Sequence, residues 1–308
     1  MDYSRITGSV DVSVMQSSHI VIVGAGGSYS LATSLARTGI RKLTVLDFDR
    51  VEETNIVRQG YKLSDIGKFK VKALGEEVQS INPEVQYTGI TKNFLEMKDQ
   101  ELDAVFKDAD VLLFLTDSFK AQAFGNLLAL RYNKPAIWAG WYEKSRTAEL
   151  FFQVPEYTAA CFRCACSSRY LANEKEEVKA SSQCNTIFHS ELLDSFIGMI
   201  CLAIVHRSKN GVVSPLDLGL RKGNEFEKFW RAMLDKNNQV PYNFFQFKAH
   251  PFGGNQLFEQ AYRTSGGHSE NFVSYWQKAD AELKSNGYHY DCPDCNGKLH
   301  HLIHHDNR

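Results

Sequence analysis

An apolar run, Val21-Ile22-Val23, passes straight into Gly24-Ala25-Gly26-Gly27, and a second apolar run ends in Asp47 and Asp49. Asn55, Arg58 and Gln59 follow Asp47 by 8, 11 and 12 residues, and Lys68 and Lys70 come soon after. A further acid, Asp117, closes a later apolar run, Val111 to Leu115. A glycine turn at a helix start aims backbone N–H groups and the positive end of the helix dipole at phosphate. Gly24 makes the turn, and Gly26 and Gly27 let the backbone approach a ligand where a Cβ would block it. Asp47, ending the second strand, is placed to accept ribose hydroxyls. The basic and amide cluster suggests more than holding. A triphosphate attacked at its α-phosphorus needs cations on the leaving pyrophosphate and a Mg²⁺ ligand near the β and γ oxygens. Asp117 stands where α/β sheets carry functional side chains. The plainer reading of Arg58, Lys68 and Lys70 is a solvated helix face, and spacing does not choose between the two. Tyr29 occupies the third glycine position of G-x-G-x-x-G, which speaks against a dinucleotide-dependent oxidoreductase.

The seven cysteines form the second chemical set. Cys161 with Cys164 and Cys292 with Cys295 are two C-x-x-C pairs, the donor set of a tetrahedral Cys₄ zinc site. The pairs stand 128 residues apart, so spacing leaves open whether they meet. A redox dithiol is the competing reading, although neither pair ends a strand within a βαβ unit. Cys184 lies between a polar stretch and an apolar helix. An unperturbed thiol is only ~3% ionised at neutral pH, so a nucleophile there needs a lowered pKa, with Lys179 and His189 as local causes. Cys166 is a weaker substitute and Cys201 reads as core. His289, His300, His301, His304 and His305 read as a solvated tail.

These residues need a frame. The 308 residues are 43% apolar and 23% charged with a net charge of −1, an ordinary globular composition that gives no global pull toward nucleic acid or an anionic membrane. No stretch is expected to approach the ~20 apolar residues of a membrane span, and no signal peptide is expected. The cysteine usage suggests a cytoplasmic, metal-binding chain and no disulfide framework. Strands are expected over 18–23, 43–48, 85–90, 111–115, 135–141 and 148–154. Helices are expected over 28–39, 68–80, 94–107 and 119–132. Alternation with short connections predicts an α/β fold with a doubly wound, mostly parallel sheet, the last strand being a candidate for antiparallel pairing. Residues 167–183 read as a mobile loop and 192–205 as a buried helix. The expected organisation is a nucleotide-binding domain over 1–155, a first zinc pair, crossover loop and helix over 156–207, a folded insertion over 208–285 and a second zinc pair over 286–308.

Taken together, Gly-Ala-Gly-Gly, Leu46-Asp-Phe-Asp49, Val51-x-x-x-Asn-x-x-Arg-Gln59, Asp65-Ile-Gly-Lys-Phe-Lys-Val71, Ile81-Asn-Pro83 and Thr116-Asp117 resemble the ThiF/MoeB/HesA family of adenylyltransferases, relatives of the ubiquitin-activating enzymes. The resemblance spans about residues 1–207 and 286–298. It implies a Rossmann-like adenylation domain using ATP and Mg²⁺, with Asp47 on the ribose and Asn55, Arg58 and Gln59 on the phosphates. Lys70 matches the essential lysine, Asp117 the acid that holds Mg²⁺, and Lys68 a weaker neighbour. Tyr3-Ser4-Arg5 matches the amino-terminal motif whose arginine reaches the partner subunit's ATP, which implies a homodimer. It also implies that the two cysteine pairs meet on Zn²⁺ and pin the C-terminal tail. Cys184 falls where such enzymes accept the carrier's acyl group or sulfur. Thr116-Asp117-Ser118, Gln122 in place of an arginine, and Tyr29 depart from the pattern.

The implied reaction is ATP-dependent adenylation of the C-terminal carboxylate of a small β-grasp ubiquitin-like or sulfur-carrier protein. A conjugating or sulfur-transfer protein would act downstream. Alternatives are activation of a modified tRNA nucleoside, for which Arg207, Lys209, Arg221, Lys222, Lys228 and Arg231 give thin support, and a non-catalytic half of a heterodimer.

Overall fold

A computed structural model of the chain describes residues 1–7, 9–142, 147–155, 158, 160–174, 185–209, 242–248, 274–279 and 292–295. In chain order the elements are α1 (Val12–Met15), β1 (His19–Val23), α2 (Tyr29–Arg37), β2 (Lys42–Leu46), α3 (Glu53–Ile56), α4 (Lys70–Ile81), β3 (Gln86–Ile90), α5 (Asp99–Phe106), β4 (Val111–Phe114), α6 (Phe119–Arg131), β5 (Ala136–Tyr142), β6 (Thr147–Gln153), α7 (Phe162–Ala165), α8 (Ser167–Asn173), α9 (Ile187–Lys209), β7 (Tyr242–Lys248) and β8 (Ser274–Ala279). They divide into two units, Met1–Leu115 with Thr186–Ala232 and Thr116–Asn185 with Met233–Arg308.

In the first unit the strands lie in the order β3-β2-β1-β4, every pair parallel. All five residues of β1 and all four of β4 are buried, which is why these strands read as continuous apolar runs without alternation. α2 buries Tyr29, Leu31, Ala32, Leu35 and Ala36, one face at helical spacing. It stops at Gly39, whose φ of +87° suits glycine. The Tyr3 ring lies against that glycine, and Asn82 Nδ2 donates to both Tyr3 Oη (3.1 Å) and Ala36 O (3.0 Å). The expected helix over 94–107 is interrupted. A 3₁₀ turn, Phe94–Glu96, is followed by extended backbone at Met97, and the helix restarts with Glu101 accepting from the Lys98 N–H at 2.9 Å.

α9 corrects the expectation about apolar length. Its segment Ile187–His206 is 20 residues long and apolar enough by length and composition to cross a membrane. Within the first unit that apolarity is used for packing: Leu193, Ile197, Ile200, Cys201, Ile204 and Val205 are buried. A Cβ at Gly198 would meet Leu31 Cδ1 at 3.4 Å, so α9 and α2 approach closely there.

In the second unit β5 to β8 pair antiparallel in sequence order. β7 and β8 come from the 208–285 insertion, so that segment supplies two strands of the second unit's sheet. Ser167–Asn173 forms α8 where a mobile loop was expected. Two side chains fasten it. The Tyr170 ring packs edge-on against Phe119 at 4.9 Å, and Arg169 pairs with buried Glu149. A hydropathy pattern shows neither. Residues 175–184, Cys184 among them, lie outside the described residues, as do most of the insertion and the histidine-rich tail.

His19 gives the first unit a pH dependence. Its Nε2 lies 2.9 Å from Thr44 Oγ1, and burial, reinforced by Lys42, lowers its pKa to about 4. The neutral ring is therefore favoured in the fold. Stability from this group is complete above the unfolded pKa of ~6.5 and is lost as pH falls from there toward 4. Urea unfolding should show the wild type losing stability over that window and His19→Gln losing less. Equal slopes in both proteins would refute the assignment.

Candidate functional site

Two backbone strips form the basic half of the site. The Val51 N–H donates to Lys68 O, the Gly67 N–H to Val51 O and the Lys70 N–H to Asp49 O, each at 2.9 Å. Gly67 turns the strip with φ +87°, and the Arg50 guanidinium lies 3.9 Å above the Phe69 ring while donating to Gly67 O at 2.6 Å. This bracket carries Lys70 inward. Its side chain is 9% exposed, and Nζ lies 2.9 Å from Asp49 Oδ2. Lys68 goes the other way, pairing with Asp65 (3.1 Å) and Glu76 (2.6 Å). The solvated-face reading therefore describes Lys68 and not Lys70. Asp49 was not among the expected site residues; its signal was only its place two residues beyond Asp47.

The glycine turn is tied to the same strips. Gly24 has φ +102° and its N–H donates to Leu46 O at 2.8 Å. Asp47 Oδ2 accepts from the Ala25 N–H at 2.7 Å and Oδ1 from the Asp49 N–H at 2.8 Å. Each oxygen keeps a lone pair for a ribose hydroxyl. Burial raises the Asp47 pKa, and Lys70 pulls it back. Tyr61, also unforeseen, donates its hydroxyl to Ala25 O at 2.7 Å from within the core. Tyr29 packs edge-on against Tyr61 at 4.8 Å and fills the space beside Gly60, where a Cβ would fall 2.1 Å from its ring.

Asn55 and Gln59 are buried, and Arg58 is half-buried. Asn55 Oδ1 accepts from the Glu52 N–H at 3.0 Å, so its observed task is to shape α3. A Cβ on Gly26 would meet Gln59 Nε2 at 3.0 Å, while one on Gly27 would meet nothing within 4 Å among the described residues. The close approach expected of both glycines is thus to Gln59 at Gly26 and to open space at Gly27. Gln59 Oε1 is buried without a hydrogen-bond partner among the described residues. A carboxylate at one end, an ammonium at the other, and an open glycine turn with an unsatisfied amide between them fit a nucleotide.

The second unit holds Asp117 on the turn after β4. Gln122, the residue in place of an arginine, is buried; its Nε2 donates to Thr116 O at 2.7 Å and its backbone carbonyl accepts from Trp138 Nε1 at 3.0 Å. Ser118 caps α6 through the Ala121 N–H (3.3 Å). The Asp117 carboxylate is exposed on this braced turn, and an oxygen donor of this kind fits Mg²⁺.

The same unit brings the two cysteine pairs together. The Sγ atoms of Cys161, Cys164, Cys292 and Cys295 lie within 4.8 Å of one another, with three separations of 3.7 Å. Zn–S bonds of about 2.3 Å in a tetrahedron require S···S edges of about 3.8 Å, so the donor set and its spacing fit Zn²⁺. Asn126 orients the site from α6: Nδ2 donates to Asp294 Oδ2 (2.8 Å) and lies 3.7 Å from Cys161 Sγ, and Oδ1 accepts from the Phe162 N–H (3.0 Å). Arg163 pairs with Asp294 at 3.0 Å, and Trp138 stacks on Phe162 at 5.0 Å.

Residues 3–232 match the ThiF family. This chain belongs to the ThiF family. Among curated relatives it is 26% identical over 141 residues to the probable adenylyltransferase/sulfurtransferase MoeZ of Mycobacterium tuberculosis, covering 45% of this chain and 35% of MoeZ. It is 31% identical over 158 residues to ubiquitin-like modifier-activating enzyme 5 of Dictyostelium discoideum, covering 47% and 40%. It is 35% identical over 111 residues to the tRNA threonylcarbamoyladenosine dehydratase of Haemophilus influenzae, covering 35% and 42%. The chain therefore spans 35–42% of the length of these three relatives. Among solved structures, the E. coli MccB + ATP crystal structure shares the fold at a TM-score of 0.53 and 22% identity, covering 64% of this chain and 58% of MccB.

Against the ThiF pattern, the remaining expected residues fall as follows. Arg5 is exposed and forms no hydrogen bond or ion pair among the described residues, on a segment anchored by Tyr3. Cys201 is buried and its pKa is pushed up to about 12, which makes it core. Cys166 is buried too, and burial pushes its pKa up to about 12, which disfavours its thiolate.

Elemental analysis of the purified ThiF-family chain should find about one zinc per polypeptide. Cys292→Ser/Cys295→Ser should lose it and melt earlier, and Asn126→Ala should weaken zinc affinity on the order of 10- to 100-fold. Full zinc in the double variant would refute the four-cysteine assignment.

Proposed function

We propose that this chain is an ATP-dependent adenylyltransferase that activates the C-terminal carboxylate of a small ubiquitin-like or sulfur-carrier protein. The observation that carries the reading is the inward ammonium of Lys70, held by Asp49 beside a glycine turn that Asp47 ties down. The names of the ThiF-family relatives support the same class. ATP is the substrate. A carboxylate oxygen of the carrier attacks the α-phosphorus, the α–β bridging bond breaks, and pyrophosphate leaves with its electron pair. Lys70 and Arg58 offset charge on the leaving group, while the glycine turn and Gln59 orient it. Asp117 would hold Mg²⁺, which neutralises phosphate charge when bound. Cys184 would then attack the acyl adenylate as a thiolate, releasing AMP and forming a thioester. Exposed Arg5 would complete the site of a second copy in a homodimer.

ATP–pyrophosphate exchange, driven by a β-grasp protein ending in Gly-Gly, tests this. Lys70→Ala and Asp117→Ala should each slow exchange by about 10²–10³. Cys184→Ala should keep exchange and lose a thiol-sensitive carrier adduct. Undiminished exchange in both charge variants would remove the reading.

The similarity to the tRNA threonylcarbamoyladenosine dehydratase favours one other substrate, a carboxylate on a modified tRNA nucleoside. Exchange driven by tRNA, weakening steeply with salt, would select it.

A further inference from the structure

The first four N–H groups of an α-helix have no partner within it, and a serine before the helix ordinarily accepts from one of them. Ser28 precedes α2 but does not cap it. Its hydroxyl donates instead to Gly24 O at 2.5 Å, closing the glycine turn on itself. The cap comes from another element. Asp194, in the first half of α9, accepts from the Leu31 N–H with Oδ2 at 2.9 Å. Leu31 is the third residue of α2, the position a capping side chain serves. One turn earlier on α9, Ser190 Oγ donates to Arg58 O at 3.1 Å. Ser190 and Asp194 are four residues apart, hence on one face, and Gly198 continues that face against Leu31. A single helix face thus grips both arms of the nucleotide site.

We propose that Asp194 is a positioning residue for the phosphate end of the site: by capping α2 from outside it leaves Ser28 to close the glycine turn, while Ser190 holds the Arg58 segment. A buried carboxylate is costly unless such a partner meets it, and Asp194 is buried, with its pKa raised by that burial. α9 begins at Ile187, three residues after Cys184. The chain leaving the proposed acyl-accepting cysteine therefore enters the helix that sets the phosphate arms. The proposal rests on the nucleotide reading of this site.

Calorimetric binding of MgATP to the full chain, alongside an NMR titration with adenosine, tests it. Asp194→Ala should weaken MgATP about tenfold and leave adenosine unchanged, because only the phosphate end moves. Asp194→Asn keeps an amide oxygen for Leu31 and should bind MgATP within about twofold of wild type. Ser28→Ala should also lose about tenfold. Ser28→Ala/Asp194→Ala should lose little more than either single variant, since both act through one turn. Unchanged MgATP affinity in Asp194→Ala, equal losses for MgATP and adenosine, an asparagine variant as weak as alanine, or full additivity would each overturn the proposal. If Asp194→Ala does not fold, Ser28→Ala decides: unchanged MgATP affinity there overturns it. A wild type that ignores MgATP, or binds it independently of Lys70, overturns the nucleotide reading itself. Lys70-dependent binding that is indifferent to Asp194 overturns only the positioning role.

Discussion

A lysine ammonium can leave water only where an opposite charge and a fixed backbone receive it. Lys70 meets that condition through Asp49, and much of the first unit follows from holding the two together. Asp49 stays in place because its own N–H is accepted by Asp47 and its carbonyl accepts from the Lys70 N–H. Asp47 in turn grips the Ala25 N–H, so the acid expected on the ribose is also the rivet between β2 and the glycine turn. The exposed face of Asp49, whose side chain is 52% accessible, keeps this ion pair in partial contact with solvent. Its attraction is therefore screened, and lysine donors remain for other acceptors.

The second unit applies a comparable rule to sulfur. Four buried thiols within 4.8 Å of each other are tolerable because neighbours fix each loop: Asn126 bonds the backbone of one pair and the aspartate inside the other. Burial pushes the Cys161 thiol well above its usual range, and a divalent cation would reverse that by stabilising the thiolate. The group that unites the pairs is an asparagine on α6, far in sequence from both.

What could be read in advance follows from how local the cause is. The β1–α2–β2 succession was legible because burial on both faces leaves continuous apolar runs and the turn demands glycine. Spacing singled out Asp47, Arg58, Gln59 and Lys70 as candidates, yet it did not separate Lys70 from Lys68. That separation is made by the bracket between 49–51 and 67–70, a pairing with no local signature. α8 was misread because its order comes from one aromatic contact and one buried ion pair. The long span of α9 was missed because charged and polar residues, His189, Glu191 and Asp194, break its apolar run near the start. The meeting of the two cysteine pairs was never legible from spacing, since 128 residues separate them.

The departures from the family pattern are compensated where they occur, and this bears on what each position does. A tyrosine at the third glycine position would collide with the segment after Gln59 unless that segment lacked a Cβ, and Gly60 lacks one. Tyr29 then packs edge-on against Tyr61, whose hydroxyl supports Ala25 in the turn. At this position the chain thus has an aromatic strut against the glycine turn. Gln122 braces the Asp117 turn, its Nε2 donating to Thr116 O at 2.7 Å. Each replacement packs against or bonds the segment it adjoins. The departure at Tyr29 therefore changes how the glycine turn is braced, while Asp47 and Lys70 keep their own partners, Ala25 and Asp49.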